Sequence, residues 1–453
     1  MKNETPKELE KPMVELSGWG RFPRQACHVQ RPRTIDELSS MVTAGPTIAR
    51  GMGRAYGDSA INANHTIDMR SFNRMLAFDS ESGQLIAEAG VVLGDVIEAF
   101  LPRGWFPAVT PGTKFVSIGG MIAADVHGKN HHVDGGFGNF VDWIDVMGAD
   151  GTIQRCGRDE NADLFEWTLG GMGLTGVVVR AAIRLRKVET AWIRQQTIVG
   201  TNLQNTMDVF EQNADSRYSV AWIDCLASGR RLGRSLVMLG EHATLSDLSA
   251  NQKSIPLETK PAKALNVPIN APTWALNSLT MRAFNAAYFE MGSRNPGETL
   301  VDWNSYFYPL DRLLNWNKLY GKNGFMQFQC VLPTDTSRDG LNALLTRLAE
   351  SKCGTFLSVL KKMGAQERQF SFPMAGYTLC LDFPVTPKTL ALMEELDQIT
   401  LRFGGRFYLA KDSRMSRDTF QSSESRADAF QKQRARWSMT DKFASQQSDR
   451  VGL

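Results

Sequence analysis

The run Ala49-Arg50-Gly51-Met52-Gly53-Arg54-Ala55-Tyr56-Gly57-Asp58-Ser59 places three glycines within seven residues. Without Cβ atoms, successive backbone N–H groups there can converge on one anion, forming a nest suited to a diphosphate. Arg50 and Arg54 flank the nest with positive charge. A second glycine-rich stretch, Pro111-Gly112-Thr113 with Ser117-Ile118-Gly119-Gly120, runs on into Ala124-Asp125-Val126-His127-Gly128-Lys129-Asn130-His131-His132, which holds three of the six histidines. The adjacency of His131 and His132, and the lack of partner ligands at metal-site spacing, weigh against a metal. The stretch reads instead as the wall of an active site, and no metal is expected. Gly171-Met172-Gly173-Leu174-Thr175-Gly176 spells G-x-G-x-x-G, but the β-branched run VVVRAAIRL follows it where a dinucleotide loop must open a helix, and no acid stands at the ribose distance. It reads as a tight turn. Late in the chain, Lys411 in Ala-Lys-Asp-Ser-Arg is either an ordinary surface lysine paired with Asp412 or a cation at a reacting centre.

Elements that would carry these groups follow from period and punctuation. A short helix over Ile35–Met41 opens at Thr34, and a strand over Thr47–Arg50 leads into the first glycine loop. Leu85–Val91 alternates like a strand, and Val92–Leu101 has helical spacing closed by Gly104. Residues 142–155 predict a β-hairpin turning at Asp150-Gly151, and Val177–Leu185 another strand. Ordered structure is expected from about Thr34. Near residue 190 the dense glycine gives way to amphipathic helices (Leu341–Ser351, Leu390–Phe403) and aromatic strands (Phe325–Leu332, Tyr377–Phe383), an α+β pattern with helices on one face of a sheet.

Length and composition bound the rest. The chain has 453 residues, 42% hydrophobic and 22% charged, so two or three domains are expected. Its 51 basic and 48 acidic residues leave a formal charge of +3, too little to hold a nucleic-acid backbone. The six cysteines lie outside C-x-x-C spacing and read as reduced thiols. The first 13 residues are charged and lack the apolar core of a secretory signal. The uncharged run 264–281 contains Pro268 and Pro272 and predicts a loop, at most a segment touching a lipid surface.

Taken together, R-G-M-G-R-A-Y-G-D at 50–58, P-G-T-x(4)-I-G-G at 111–120, H-G-K-N-H-H at 127–132, G-G-M-G-L-T-G at 170–176, W-N-K-L-Y-G at 316–321, F-M-Q-F-Q at 325–329, C-L-D-F-P at 380–384 and A-K-D-S-R at 410–414 resemble the FAD-dependent oxidoreductases of the vanillyl-alcohol-oxidase superfamily, and within it the decaprenylphosphoryl-β-D-ribose 2′-oxidases. The resemblance spans nearly the whole chain. It implies a two-domain α+β fold of the PCMH type: a disordered tail over 1–13, an FAD-binding domain over 14–189, an antiparallel-sheet substrate domain covered by helices over 190–405, and a return to the FAD domain over 406–453.

It also implies roles for residues. The FAD diphosphate would lie along Ala49 to Ser59, with further contacts from Gly112, Ser117, Ile118, Gly119, Gly120, Ala124, Asp125, Val126, His127, Val178 and Tyr408. Arg54 stands where many superfamily members carry the histidine that bonds the flavin, so the FAD is expected to be non-covalent. Lys411, Tyr56 and His127 would serve the reaction; Gln327, Gln329, Lys361, Cys380 and Lys411 would face the substrate, with Lys361 and Lys362 both candidates to point inward. Thr378 and the residues around Phe307-Tyr308 depart from the family pattern at positions expected near the substrate. The implied reaction oxidises the 2′-hydroxyl of a polyprenyl-phosphoryl ribose to a ketone, the first half of an epimerisation that a short-chain reductase completes. An alditol or aldonolactone oxidase, and a flavin-binding scaffold with little turnover, are the competing readings. The implied setting is the cytoplasm, with peripheral contact at the inner membrane.

Overall fold

The computed structural model describes residues 13–258, 264–272, 277–294, 296–355 and 357–453. The tail expected over 1–13 lies, apart from Met13, outside them.

Two antiparallel sheets organise the described residues. The first has six strands: Ile153–Gly157, Val141–Met147, Val177–Lys187, Gln84–Glu88 and Met75–Asp79 in that order, with Trp105–Pro107 also paired to Val177–Lys187. Helices Leu93–Phe100 and Ile118–Ala123 add to its core of Val96, Ile97, Met121, Ile122, Ile144, Val146 and Val177. A small parallel sheet, Val29–Gln30, Thr66–Asp68 and Ile48–Arg50, stands beside it and ends at the mouth of the first glycine loop. Helix Ile35–Ala44 is opened as expected by the Thr34 side chain, which accepts from the Glu37 N–H.

Several boundaries differ from the sequence reading. Ordered structure begins well before Thr34, because Val14–Ser17 and Arg24–Cys27 pair with each other; strands so short and mixed in polarity carry no period. The hairpin of residues 141–157 turns through Ala149, Asp150 and Gly151, closed by Gly148 N–H donating to the Thr152 carbonyl, with Gly151 left-handed at φ 79°. This is one residue longer than the two-residue turn expected. The run 264–281 is not all loop: Leu265–Asn266 pairs in parallel with Leu313–Leu314, residues 273–276 lie outside the described set, and a helix starts at Ser278 and continues to Arg294.

The second sheet has eight strands in the order Gly297–Asp302, Trp192–Gly200, Ser235–His242, Tyr218–Ile223, Ser358–Met363, Gly376–Pro384, Phe325–Pro333 and Arg406–Phe407, all antiparallel. Side chains alternate across a strand. Met326, Phe328 and Cys330 therefore join Leu360, Leu379, Leu381 and Phe383 on one face, where Leu341, Leu344, Leu345 and Leu348 of helix Thr334–Ser351 and Leu392, Met393 and Leu396 of helix Pro387–Arg402 cover them. The i, i+3, i+4, i+7 spacing of those leucines is what lets one helix face meet the sheet. The opposite face carries Gln327, Gln329, Thr378, Cys380 and Asp382, and it has no helix of this pair against it.

After this sheet the chain returns to the first. Met415, Phe420, Ala427, Phe430 and Val451 pack with Ile48, Trp167, Leu174 and Phe370. Arg450 reaches across to Asp58 at 2.7 Å and Asp412 at 2.9 Å. No helix among the described residues is long and apolar enough to cross a membrane.

Candidate functional site

The first glycine loop is held open by its own glycines. A Cβ at Gly51 would lie 2.0 Å from the Ser117 hydroxyl oxygen, and one at Gly57 2.2 Å from the Asp412 carbonyl oxygen, while Gly112 faces open space. Among the described residues, no acceptor takes the backbone N–H of Met52, Gly53, Arg54 or Ala55. Four successive free donors beside two arginines are what a diphosphate requires. Neither guanidinium is used up by a carboxylate: Arg50 donates to the Ser17 and Ala60 carbonyls, and Arg54 donates to the Phe115 carbonyl and lies 4.2 Å from the Trp19 ring centre. The residues present thus fit FAD.

Some residues of that stretch hold the loop instead of facing the opening. The Asp58 carboxylate is bound by Arg450. Asp125, left-handed at φ 36°, accepts from Gly138 N–H, Gln366 Nε2 and the Ser371 hydroxyl, so its side chain is spent on structure. Ser117 and Ile118 are buried; Ile118 and Gly119 donate their N–H groups to Val91 and Ala89 carbonyls, which presses this turn against the first sheet next to Gly120. Ala124 accepts from the Tyr408 hydroxyl at 3.0 Å, and Val126 and Val178 are buried in the first core. The Gly171–Gly176 segment forms a turn and leads straight into strand Val177–Lys187, with Met172 N–H donating to the Ala123 carbonyl.

Two parts of the chain meet at Tyr56. Its N–H donates to the Ala410 carbonyl at 2.9 Å, and the Lys411 ammonium lies 3.8 Å from the centre of its ring. Asp412 does not pair with Lys411, being taken by Arg450 and by the N–H groups of Arg414 and Met415. Burial pushes the Tyr56 hydroxyl well above its ordinary range, helped by the nearby Asp382 carboxylate. Burial also lowers Lys411, against the pull of Cys380 and Asp382.

The polar face of the second sheet closes this corner. Gln327 stands opposite Asp382 in the strand register, and its amide donates to the Asp382 carboxylate. Asp382 is fully buried and pushed up to about 7, with Tyr320 and Lys411 working against that rise. Cys380, opposite Gln329, is pushed up to about 12 by burial and by Asp382, so it is a thiol and not a nucleophile at neutral pH. Gln329 Nε2 lies 3.1 Å from His127 Nε2 and 3.2 Å from the Thr378 hydroxyl. An amide nitrogen can only donate, so His127 Nε2 accepts and its proton sits on Nδ1, which has no partner among the described residues. Burial keeps this imidazole neutral, with Lys361 and Lys411 adding to the effect. Tyr408 stacks on Phe372 at 4.7 Å and lies 5.1 Å from the His127 ring.

Alternation also separates the two adjacent lysines. Lys362 pairs with Glu211 on the helix-covered side, where Tyr377 also donates to that carboxylate. Lys361, opposite Thr378, points the other way, toward the site, and burial lowers it to about 8. The remaining histidines of the 127–132 segment are engaged singly: His131 accepts from Gly364 N–H at Nδ1 and so donates from Nε2 to Gln366 at 2.8 Å, and His132 Nε2 donates to the Ser216 carbonyl. Phe307 and Tyr308 lie in the first core, where both rings are buried.

Two groups here were not singled out from the sequence. Asp382 follows Cys380 by two residues, so the strand period alone puts both on one face. Lys129 lies within the histidine segment, with its ammonium on the Tyr306 carbonyl and 4.1 Å from the Tyr306 ring centre.

The family described as FAD binding domain matches residues 27–157. Decaprenylphosphoryl-beta-D-ribose oxidase of Mycolicibacterium smegmatis is 33% identical over 97% of this chain and 97% of its own. L-gulonolactone oxidase of Mus musculus is 27% identical over 37% of this chain and 36% of its own, and cytokinin dehydrogenase 7 of Oryza sativa 28% over 39% and 37%. The first match runs through nearly the whole chain, the polar sheet face included, whereas the other two cover little more than a third of it. The chain is an FAD-dependent oxidoreductase and belongs to the decaprenylphosphoryl-β-D-ribose oxidase family.

Proposed function

We propose that this protein oxidises the 2′-hydroxyl of a polyprenyl-phosphoryl-β-D-ribose to the 2′-keto sugar, using FAD bound without a covalent link. In this reading residues 14–189 and 406–453 hold the cofactor and residues 190–405 the substrate. The observation that supports it most directly is the meeting of Lys411 and Tyr56, at the end of the glycine loop, with Gln327, Gln329, Cys380 and Asp382 on one sheet face. Bound FAD supplies the hydride acceptor for the carbinol carbon. Lys411 takes the hydroxyl proton at Nζ, since burial favours its neutral form. Tyr56 keeps its proton and can donate to the substrate oxygen, and neutral His127 offers an Nδ1–H. Gln327 and Gln329 are amides with fixed orientation, suited to sugar hydroxyls.

A 2′-keto sugar becomes the arabinose epimer only when a second enzyme, a short-chain reductase in this reading, returns a hydride to the other face. The lipid chain brings the protein to a bilayer, where Leu265, Ile269 and Leu279, 69%, 74% and 76% exposed, are apolar groups of the 264–281 segment. The six cysteines are all free thiols, in keeping with work on the cytoplasmic side of the inner membrane.

The test is a visible spectrum before and after acid precipitation, then anaerobic addition of farnesyl-phosphoryl ribose. Flavin released to the supernatant and bleached by that substrate is the expected result. A yellow pellet would overturn the non-covalent assignment, and bleaching by a free alditol but not by the lipid-linked sugar would overturn the substrate.

A further inference from the structure

Lys129 and Lys361 are two partly buried lysines, and neither has a carboxylate at ion-pair distance among the described residues. The Lys361 ammonium makes no hydrogen bond among the described residues, and the Lys129 ammonium has only the Tyr306 carbonyl and the faces of Tyr306 and Phe307. Backbone geometry brings the two together: the Lys129 carbonyl accepts from Ser219 N–H in strand Tyr218–Ile223, which pairs with the strand that carries Lys361, and Lys361 stands opposite Thr378, whose hydroxyl shares the Gln329 amide with His127, two residues before Lys129. Asp382, the buried acid on the polar sheet face, is held by the Gln327 amide. Burying unpaired like charges side by side is costly, and such clusters persist where an anion completes them.

The chemistry of a 2′-oxidised ribosyl phosphate matches this arrangement. Only the anomeric carbon stands between the reacting carbon and the phosphate oxygen, so a hydroxyl placed at Lys411 brings the phosphodiester to the neighbouring cations. We infer that Lys129 and Lys361 form the phosphodiester subsite, and that Lys129 is a specificity-determining residue that selects charged lipid-linked sugars over neutral ones. The inference rests on the substrate class proposed above. The flexible lysine stem, lying against the Tyr306 ring, would then move its head group only a short way from ring to phosphate.

The experiment is calorimetric titration of the FAD-loaded protein with farnesyl methyl phosphate, a non-oxidisable diester that keeps one charge at neutral pH, with farnesol and inorganic phosphate titrated in parallel. The diester is expected to bind more tightly than farnesol or inorganic phosphate. Lys129→Met is expected to weaken it about tenfold or more while leaving farnesol unchanged, and Lys129→Arg to restore most of the loss. Should Lys129→Met fail to fold or to load FAD, Lys361→Met carries the same comparison. Equal binding of diester and farnesol, or an unchanged affinity in both methionine variants, would overturn the subsite; inorganic phosphate binding as tightly as the diester would overturn its lipid-linked occupant. The two proposals fail separately: a protein that oxidises only free alditols yet binds the diester through Lys129 loses the reaction and keeps the subsite.

Discussion

The Lys411 ammonium sits 3.8 Å over the ring of Tyr56, joining the first glycine loop to a turn more than 350 residues later in the chain. Lys411→Met, which keeps the stem and removes the proton acceptor, should lower the rate of flavin bleaching about 10²–10⁴-fold while FAD content stays at the wild-type level. Single-turnover stopped-flow measurement checks this, and a wild-type bleaching rate would remove Lys411 from the reaction.

Asp382 makes the folded protein sensitive to pH in a predictable direction. Its carboxyl is held up at about 7 by burial, against about 4 in an unfolded chain. The folded state therefore binds this proton more tightly, and its contribution to stability is present below about pH 4 and lost as the pH rises to about 7. Asp382→Asn has no such proton, so wild-type stability should fall relative to the variant across that window by on the order of a few kcal/mol. Denaturant unfolding at a series of pH values tests the sign; a difference that does not vary with pH would refute it.

At Gly57 the first glycine loop and the turn that carries Lys411 are in backbone contact, and a Cβ there would meet the Asp412 carbonyl oxygen at 2.2 Å and Ser413 Cα at 2.6 Å. Backbone cannot swing aside as a side chain can. Gly57→Ala should therefore lose both bound FAD and turnover, read as flavin absorbance per protein after gel filtration. Full loading with normal activity would show that the turn is free to shift.

Phe430 is fully buried between the rings of Phe370, at 4.1 Å, and Trp167, at 5.6 Å. Phe430→Ala should cost about 3–5 kcal/mol and lower the melting temperature of the whole protein, because this cluster fastens the C-terminal helices to helix Ala162–Thr168 and to Ile48 of the small parallel sheet. A melting temperature within experimental error of wild type would place the anchoring elsewhere.

Much of this arrangement can be read from residue order, for physical reasons that also mark where reading stops. Thr34 and Thr386 cap helices by short-range hydrogen bonds, and the strands around Phe328 and Leu381 announce themselves by period. The glycine loop was legible because only glycine tolerates Ser117 at 2.0 Å. Val14–Ser17 was not, since four residues with no buried face pair only because Arg24–Cys27 lies alongside. The helix from Ser278 was hidden by the prolines before it, although the Asn277 carboxamide oxygen accepts from the Leu279 and Thr280 N–H groups and so opens it. The choice between Lys361 and Lys362 depended on which sheet face the helices cover, a fact about distant leucines. Asp382 was within reach of the strand period, whereas the isolation of Lys129 from any carboxylate is visible only in three dimensions.

The division of labour between the two faces of the second sheet has a consequence for how such enzymes diversify. Alternate positions of two neighbouring strands serve different ends: Phe328, Leu379 and Leu381 pack in the core under the helices, while Gln329, Thr378 and Cys380 between them lie on the opposite, polar face. Point changes at alternate codons could therefore alter what the cleft recognises without disturbing the packing that keeps the protein folded.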